Sequence, residues 1–120
     1  MARQLVVKVT CGTEDPERLN QAFTVAAAAV ASGAQVSLWL TGEAAWLGLP
    51  GPAEEFELPL ATPLAALRDS VIAGGTLTVC SQCAARREIG EDDLLAGVRI
   101  AGAASFAEEI LGEGVQAIVY

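Results

Sequence analysis

Two thiols three residues apart are the most chemically distinctive feature of this sequence. Cys80 and Cys83 lie in the stretch VCSQCAARREIG, which follows the apolar run LTV and contains Arg86 and Arg87. A C-x-x-C pair can hold a metal ion, take part in disulfide exchange or present a reactive thiolate. The 120-residue sequence contains no histidine, so mechanisms that need an imidazole base or an imidazole metal ligand are excluded.

Composition and charge limit the class of protein. The chain has 15 acidic residues, 7 basic residues and 52% hydrophobic residues. This balance is typical of a globular domain and argues against binding to nucleic acid or to anionic membrane surfaces. No stretch reaches the roughly 20 apolar residues of a membrane span, and the amino terminus lacks a secretory pattern. We therefore expect one domain over residues 1–120, in the cytoplasm, where cysteines stay reduced.

Strand and helix patterns alternate along the whole chain. Apolar, β-branched runs predict five strands, at 4–9, 34–40, 76–80, 98–101 and 115–120. Cap, proline and glycine signals predict helices at about 16–32, 63–74, 81–88 and 104–114, with a long connection over 41–61. This alternation predicts an α/β domain with a three-layer, flavodoxin-like fold: a mainly parallel five-stranded sheet with helices on both faces. The expected strand order is 2-1-3-4-5.

The expected strand order brings the three cysteines of the chain together. The first strand ends at Cys11 and Gly12, and the third strand ends at Cys80. The order 2-1-3-4-5 makes these strands neighbours, about 5 Å apart. Ligands of open α/β sheets bind at such a position, outside the carboxyl ends of the strands. Gly12 then serves either a tight turn or the close approach of backbone to a ligand.

Cys80 has the position of a reactive thiol. It lies where a strand gives way to a helix, and the free N–H groups at a helix start favour thiolate over thiol. Cys80, Cys83 and Arg87 fall within about 60° of one helix face, so we expect the Arg87 guanidinium near the thiols. Cys83 and Cys11 are each either a second reactive thiol or a small buried core residue. Arg87 is either a partner of the thiols or an ordinary surface arginine.

The sequence resembles the DsrE/DsrF-like family of small sulfur-relay proteins over essentially its whole length. The similarity rests on VVKVTCGTEDPER, AVASGAQVSLWL, the strand-Cys-helix segment LTVCSQCAARREIG and the tail GVRIAGAASFAEEILGEGVQAIVY. The resemblance implies a flavodoxin-like fold, a homotrimer or homohexamer, and a sulfur-carrying cysteine at Cys80. Cys83 and Cys11 are not part of the shared pattern. The apolar run FTVAAAAVA in the first helix fits either packing on the sheet or contact with another subunit.

Four functions are compatible with these residues. A persulfide carrier would accept sulfane sulfur on Cys80 and pass it to an acceptor thiol, with Cys83 or Cys11 able to resolve the persulfide. A dithiol redox protein would use Cys80 and Cys83. A metal site of Cys11, Cys80 and Cys83 would fall one ligand short of a structural zinc site. A non-catalytic subunit would bind a small anion or a partner.

The persulfide carrier is the function that we expect. Cys80 and Cys83 are the expected catalytic residues, with Cys11, Gly12 and Arg87 in support. No cofactor or metal is implied, since the sequence contains neither G-x-x-x-x-G-K-[ST] nor a G-x-G-x-x-G after the first strand. The expected partners are thiol-bearing sulfur donor and acceptor proteins, not nucleic acid or membrane.

Overall fold

A five-stranded parallel sheet organises the chain in the computed structural model, which describes residues 2–120. The strands are β1 (Gln4–Val9), β2 (Gln35–Leu40), β3 (Thr76–Cys80), β4 (Val98–Ala101) and β5 (Val115–Val119). The helices are α1 (Pro16–Ala31), α2 (Pro52–Glu55), α3 (Leu64–Gly74), α4 (Ser81–Arg86) and α5 (Ala103–Ile110). Short 3-10 helices cover Gly42–Gly48 and Glu91–Asp93. The predicted α/β class and the five strands are confirmed.

The order of the strands differs from the expected 2-1-3-4-5. The sheet runs β4-β3-β2-β1-β5, so β1 pairs with β2 and β5, and β3 pairs with β2 and β4. The chain steps in one direction from β1 to β4 and then crosses back to place β5 beside β1. A right-handed crossover can place the next strand on either side of the first strand. The side that is chosen decides which face of the sheet the connecting helix covers. The strand and helix patterns therefore predict the elements without selecting their order.

The predicted helices on both faces of the sheet are confirmed. Along each strand, side chains alternate between the two faces. Helices α1 and α3 pack on one face, over the main core. This core contains Val7, Val9, Leu38, Leu40, Leu77 and Val79, all 0% exposed. Helix α5 covers the other face, where the Phe106 ring meets the Trp39 indole edge-on with the ring centroids 5.4 Å apart.

Helix ends follow local signals, with two differences from the predicted bounds. Helix α1 begins at Pro16 and ends ahead of Gly33, whose φ of +89° suits a residue without a Cβ. Helix α4 ends at Arg86, because Glu88 adopts φ 56°. Helix α5 ends at Ile110, four residues before the predicted end, ahead of Gly112 and Gly114. Between residues 2 and 120, no helix has the length and apolar character needed to cross a membrane.

The connection between β2 and α3 is folded against the core and is not an open loop. Its 3-10 helix buries Ala44 and Leu47, which are 0% and 1% exposed. Trp46 and Phe56, the aromatic residues of this segment, are partly buried and pack against the same core. The segment therefore belongs to the cooperative structure of the domain.

A buried arginine joins this connection to α3. The Arg68 side chain is 4% exposed and donates to both oxygens of Glu54 at 3.0 and 2.6 Å. Its Nε donates to Asp69 at 3.0 Å. The Arg68 guanidinium, followed by the N–H of Gly51, lowers the pKa of Glu54 to about 2. Because an unpaired buried guanidinium is costly, this ion pair fixes α2 against α3.

We expect Glu54→Gln to reduce the free energy of unfolding at neutral pH by about 1–2 kcal/mol, since it weakens charge-assisted hydrogen bonds to Arg68. The value is modest because the Glu54 side chain is 48% exposed and solvent screens the pair. The folded pKa of about 2 lies below the ordinary 4.5. The stabilisation is thus fully present above pH 4.5 and is lost as pH falls towards 2.

Urea unfolding of the wild type and of Glu54→Gln, at about pH 7 and about pH 3, measures this effect. The difference between the two proteins should shrink at the lower pH. Glu55→Gln, at the exposed next position, is the matched control and should change little at either pH. A difference of equal size at both pH values would contradict the role given to the Glu54 carboxylate.

Candidate functional site

Cys80 ends β3 and occupies the cap position of α4, at the carboxyl edge of the sheet. It pairs with Ala101, the last residue of β4. From β3 the chain enters α4, whose Cys83 and Ala84 pack into the main core, whereas from β4 it passes through Gly102 into α5 on the other face. Neighbouring strands whose connections leave towards opposite faces mark the topological switch point, where α/β proteins bind ligands. This switch point lies between β3 and β4, not between β1 and β3 as expected.

The surroundings of Cys80 favour its thiolate. Burial has the largest single effect and raises the pKa of Cys80, but the backbone N–H groups of Cys83 and Gln82, the Cys83 side chain and the charge of Lys8 lower it. Together they bring the pKa of Cys80 below its ordinary 9.0. No side-chain hydrogen bond caps α4, so its first N–H groups remain available to a sulfur anion. Cys80 is partly exposed and is therefore accessible as well as ionisable.

The charge of Lys8 makes the smallest of these contributions to the lowered pKa of Cys80, and the sequence pattern did not single out this residue. It lies in register with Trp39 on β2, which is in register with Thr78 on β3. The alternation of side chains places Cys80 on the same face as Thr78. The Lys8 ammonium lies 4.8 Å from the centre of the Phe106 ring. Among the described residues, no carboxylate forms a salt bridge with it, so its charge can act on Cys80.

Cys83 lies in the first turn of α4 and faces the core. It is 8% exposed, and its Sγ accepts a hydrogen bond from the N–H of Gly42 at 3.1 Å. Its side chain also interacts with the thiol of Cys80, whose pKa it lowers. The site thus contains one accessible thiol and one shielded thiol, both free. This arrangement suits thiol chemistry in which Cys80 reacts first.

Cys11 lies apart from this pair, because β2 separates β1 from β3. Two strand spacings, about 10 Å, lie between the strand ends, so the expected convergence of three cysteines on adjacent strands is wrong. Cys11 is 5% exposed. Burial, followed by the charges of Asp15 and Glu14, raises the pKa of the Cys11 thiol. Cys11 is consequently a core residue whose surroundings favour the thiol, and it lies apart from Cys80.

Gly12 allows two turns at the carboxyl edge to pack together. A Cβ at Gly12 would lie 2.7 Å from the carbonyl oxygen of Glu43, a contact that a larger residue could not make. The turn that contains Gly42 and Glu43 therefore lies between Gly12 and Cys83. The close approach at Gly12 is thus to the backbone of Glu43, and the predicted approach of Gly12 to a ligand stays a prediction.

Arg87 lies on the Cys83 side of α4, as its helical position predicts. Its Nη1 donates to the carbonyl oxygen of Cys83 at 3.1 Å. Its Nε and Nη2 bind the Glu43 carboxylate at 2.9 and 2.8 Å. This ion pair anchors the end of α4 to the 3-10 helix after β2. The Arg87 charge is thereby neutralised, and Lys8 is the cation that lowers the pKa of Cys80.

The model of the DsrE/DsrF-like family matches residues 4–119. The chain belongs to the DsrE/DsrF-like family. The crystal structure of the YchN protein from E. coli is similar, with a TM-score of 0.78 and 19% identity over 97% of this chain and 99% of that one. MTH1491 from Methanobacterium thermoautotrophicum, a protein of unknown function, has a TM-score of 0.70 and 15% identity over 98% and 99%. At these identities the likeness shows the fold alone. No protein with a curated description matches.

In this DsrE/DsrF-like protein, the strand-Cys-helix segment corresponds to β3 and α4, with Cys80 at their junction. Cys80 and Cys83 are brought together, whereas Cys11 is not. Over residues 2–120, no three Cys, Asp or Glu side chains cluster as metal ligands would. A signal for Lys8 was present in the sequence: it is the only lysine, and it interrupts the otherwise apolar strand QLVVKV.

We expect Lys8→Met to raise the pKa of the Cys80 thiol and so to lower its thiolate fraction at neutral pH. The reason is the loss of a positive charge that lies on the Cys80 side of the sheet and that, among residues 2–120, forms no salt bridge. The measurement is the rate of iodoacetamide alkylation of Cys80 against pH, followed by peptide-resolved mass spectrometry.

Lys8→Arg keeps the charge and should retain most of the wild-type profile. Arg86→Met is the matched control for net charge, because Arg86 is an exposed cation at the far end of α4. An alkylation midpoint that moves equally in Lys8→Met and Arg86→Met would mean that Lys8 has no specific effect on the thiol.

Proposed function

We propose that this protein carries sulfane sulfur as a persulfide on Cys80 and delivers it to an acceptor thiol. The observation that carries the proposal is the position of Cys80: an accessible thiol with a lowered pKa at the β3–α4 junction of a DsrE/DsrF-like chain. Membership of this family suggests sulfur relay, and Cys80 is the thiol of the chain that combines exposure with ionisation.

Loading and delivery are two sulfur transfers of the same kind. The Cys80 thiolate attacks the outer sulfur of a donor persulfide, the donor S–S bond breaks, and the donor leaves as a thiolate. An acceptor thiolate then attacks the terminal sulfur on Cys80, and Cys80 leaves as a thiolate. Each step replaces one S–S bond by another, so the transfer itself consumes no electrons.

The same groups assist both steps. The free N–H groups of Gln82 and Cys83 and the Lys8 ammonium stabilise negative sulfur at Cys80. They raise the thiolate fraction for loading, and they make Cys80 a better leaving group for delivery. Stabilisation of a sulfur anion by positive charge is the chemistry that a carrier needs in both directions.

A dithiol redox function is the second candidate, and the interaction of Cys80 with Cys83 favours it. In that case, mild oxidation would form a disulfide without any sulfur donor. A protein that neither loads sulfur nor forms this disulfide, and whose thiols resist labelling at neutral pH, would instead be a non-catalytic binding subunit.

We further propose that the protein acts as a homotrimer or homohexamer and exchanges sulfur with thiol-bearing donor and acceptor proteins. Large apolar side chains support a subunit contact at β5, where Ile118 and Val119 are 38% and 62% exposed. Strand β5 pairs with β1 alone, so its other edge is open. The alanine-rich run of α1 exposes only small side chains, such as those of Ala28 and Ala31. We therefore place the subunit contact at β5 and not at α1.

We expect wild-type protein, sampled immediately after mixing with a low-molecular-weight persulfide donor, to show a gain of about 32 Da, the mass of one sulfur atom. Cys80→Ser should not gain it, because the carrier thiolate is gone. Intact-protein mass spectrometry measures both. Cys11→Ser is the matched control and should load like the wild type, since Cys11 lies outside the site. Full loading of Cys80→Ser would overturn the assignment.

We expect wild-type protein to sediment as a trimer or hexamer, and Val119→Glu to shift it towards the monomer, because a carboxylate in an apolar subunit contact is unfavourable. Sedimentation velocity measures the change. Leu60→Glu is the control, since Leu60 is a fully exposed apolar residue in the distant 41–61 connection. A wild type that is monomeric at micromolar concentration would contradict this contact.

A further inference from the structure

Cys83 is a nucleophilic side chain beside the site, and sulfur transfer through Cys80 gives it no role. Cys80 is the cap of α4 and Cys83 is its third residue. At this i, i+3 spacing the two residues are neighbours on the helix surface, and the Cys83 side chain interacts with the Cys80 thiol. On its other side, Cys83 Sγ is held by the N–H of Gly42 at 3.1 Å. The second thiol is therefore fixed next to Cys80 on the inner side of the site.

We propose that Cys83 attacks the Cys80 persulfide and releases its outer sulfur as sulfide, so that the protein also acts as a persulfide reductase. This activity rests on the proposed loading of Cys80. It follows from the placement of the two thiols: Cys83 is 8% exposed and lies inside, whereas Cys80 is accessible. Because Cys80 is partly exposed and Cys83 is buried, a terminal sulfur on Cys80 has room on the solvent side, and Cys83 attacks from the buried side.

The release step balances by itself, and one external dithiol reductant completes the turnover. The Cys83 thiolate attacks Cys80 Sγ, the bond from Sγ to the terminal sulfur breaks, and the terminal sulfur leaves as HS⁻ with the electron pair. A disulfide forms between Cys80 and Cys83, and the proton of Cys83 passes to solvent. The sulfane sulfur gains two electrons and the two cysteines lose two. A dithiol reductant then restores both thiols by exchange.

Cys83 is the only cysteine placed for this step. Cys11 lies two strands away, its pKa is raised by burial, and the turn containing Gly42 separates it from Cys83. Delivery and release therefore compete at one persulfide. An acceptor thiol that docks before Cys83 attacks receives the sulfur, and in its absence the sulfur is lost as sulfide.

A single-turnover experiment tests this step. Protein is loaded with one equivalent of glutathione persulfide, separated from the donor, and left without acceptor while sulfide and intact mass are followed. Wild-type protein should release about one sulfide per chain and pass from a gain of about 32 Da to a loss of about 2 Da, the mass of the two hydrogens. In Cys83→Ser the gain should persist, with sulfide release at least about tenfold slower.

Three further variants separate the possible outcomes. Cys83→Ala guards against the effect of a buried hydroxyl and should behave like Cys83→Ser. Cys11→Ser should behave like the wild type. Loading is read separately, from the gain of about 32 Da in wild-type protein and in Cys83→Ser: if neither protein gains it, both proposals are wrong. If Cys83→Ser loads but releases sulfide as fast as the wild type, or if wild-type protein keeps the added sulfur without forming a disulfide, the reductase activity is wrong and the carrier function stands.

Discussion

A parallel strand must pass into a crossover at its carboxyl end, and in β3 this change of structure happens at Cys80. The residue is held by the sheet on one side, through its pairing with Ala101, and precedes the unpaired N–H groups of α4 on the other. A side chain at such a junction is fixed in place and yet reaches the surface. The chain returns across the opposite face through α5, so the connections after β3 and β4 leave this edge of the sheet towards opposite faces. The site depends on this crossover more than on any single contact.

The charges of the molecule are arranged around that junction. The chain has a formal net charge of -8, which disfavours a thiolate at long range. Most of its arginines are paired with carboxylates, in the pairs Arg18–Asp15, Arg68–Glu54, Arg87–Glu43 and Arg99–Glu109. Lys8 lies instead against the aromatic ring of Phe106. Its charge lowers the pKa of Cys80 and so opposes, at this position, the field of an acidic protein.

Local sequence patterns predicted the secondary-structure elements. The strand order and the partners of charged side chains depend on long-range contacts and were not predicted. The element types and the junction at Cys80 followed from strand periodicity and from the cap and glycine signals, which act over a few residues. The strand order did not, because the direction of each crossover is a property of the whole sheet. Lys8 was missed since its effect on Cys80 spans 72 positions. Helical geometry placed Arg87 beside Cys83, but its partner Glu43 is 44 residues away.

The single lysine also makes the site observable. Because Lys8 is the only lysine in the chain, isotope-labelled lysine would give one side-chain ammonium signal in a nuclear magnetic resonance spectrum. The Phe106 ring, 4.8 Å from that ammonium, would move the signal away from the position of a solvated lysine through its ring current. One resonance would then respond to the ionisation of Cys80, whose pKa the Lys8 charge lowers, with no probe added to the thiol itself.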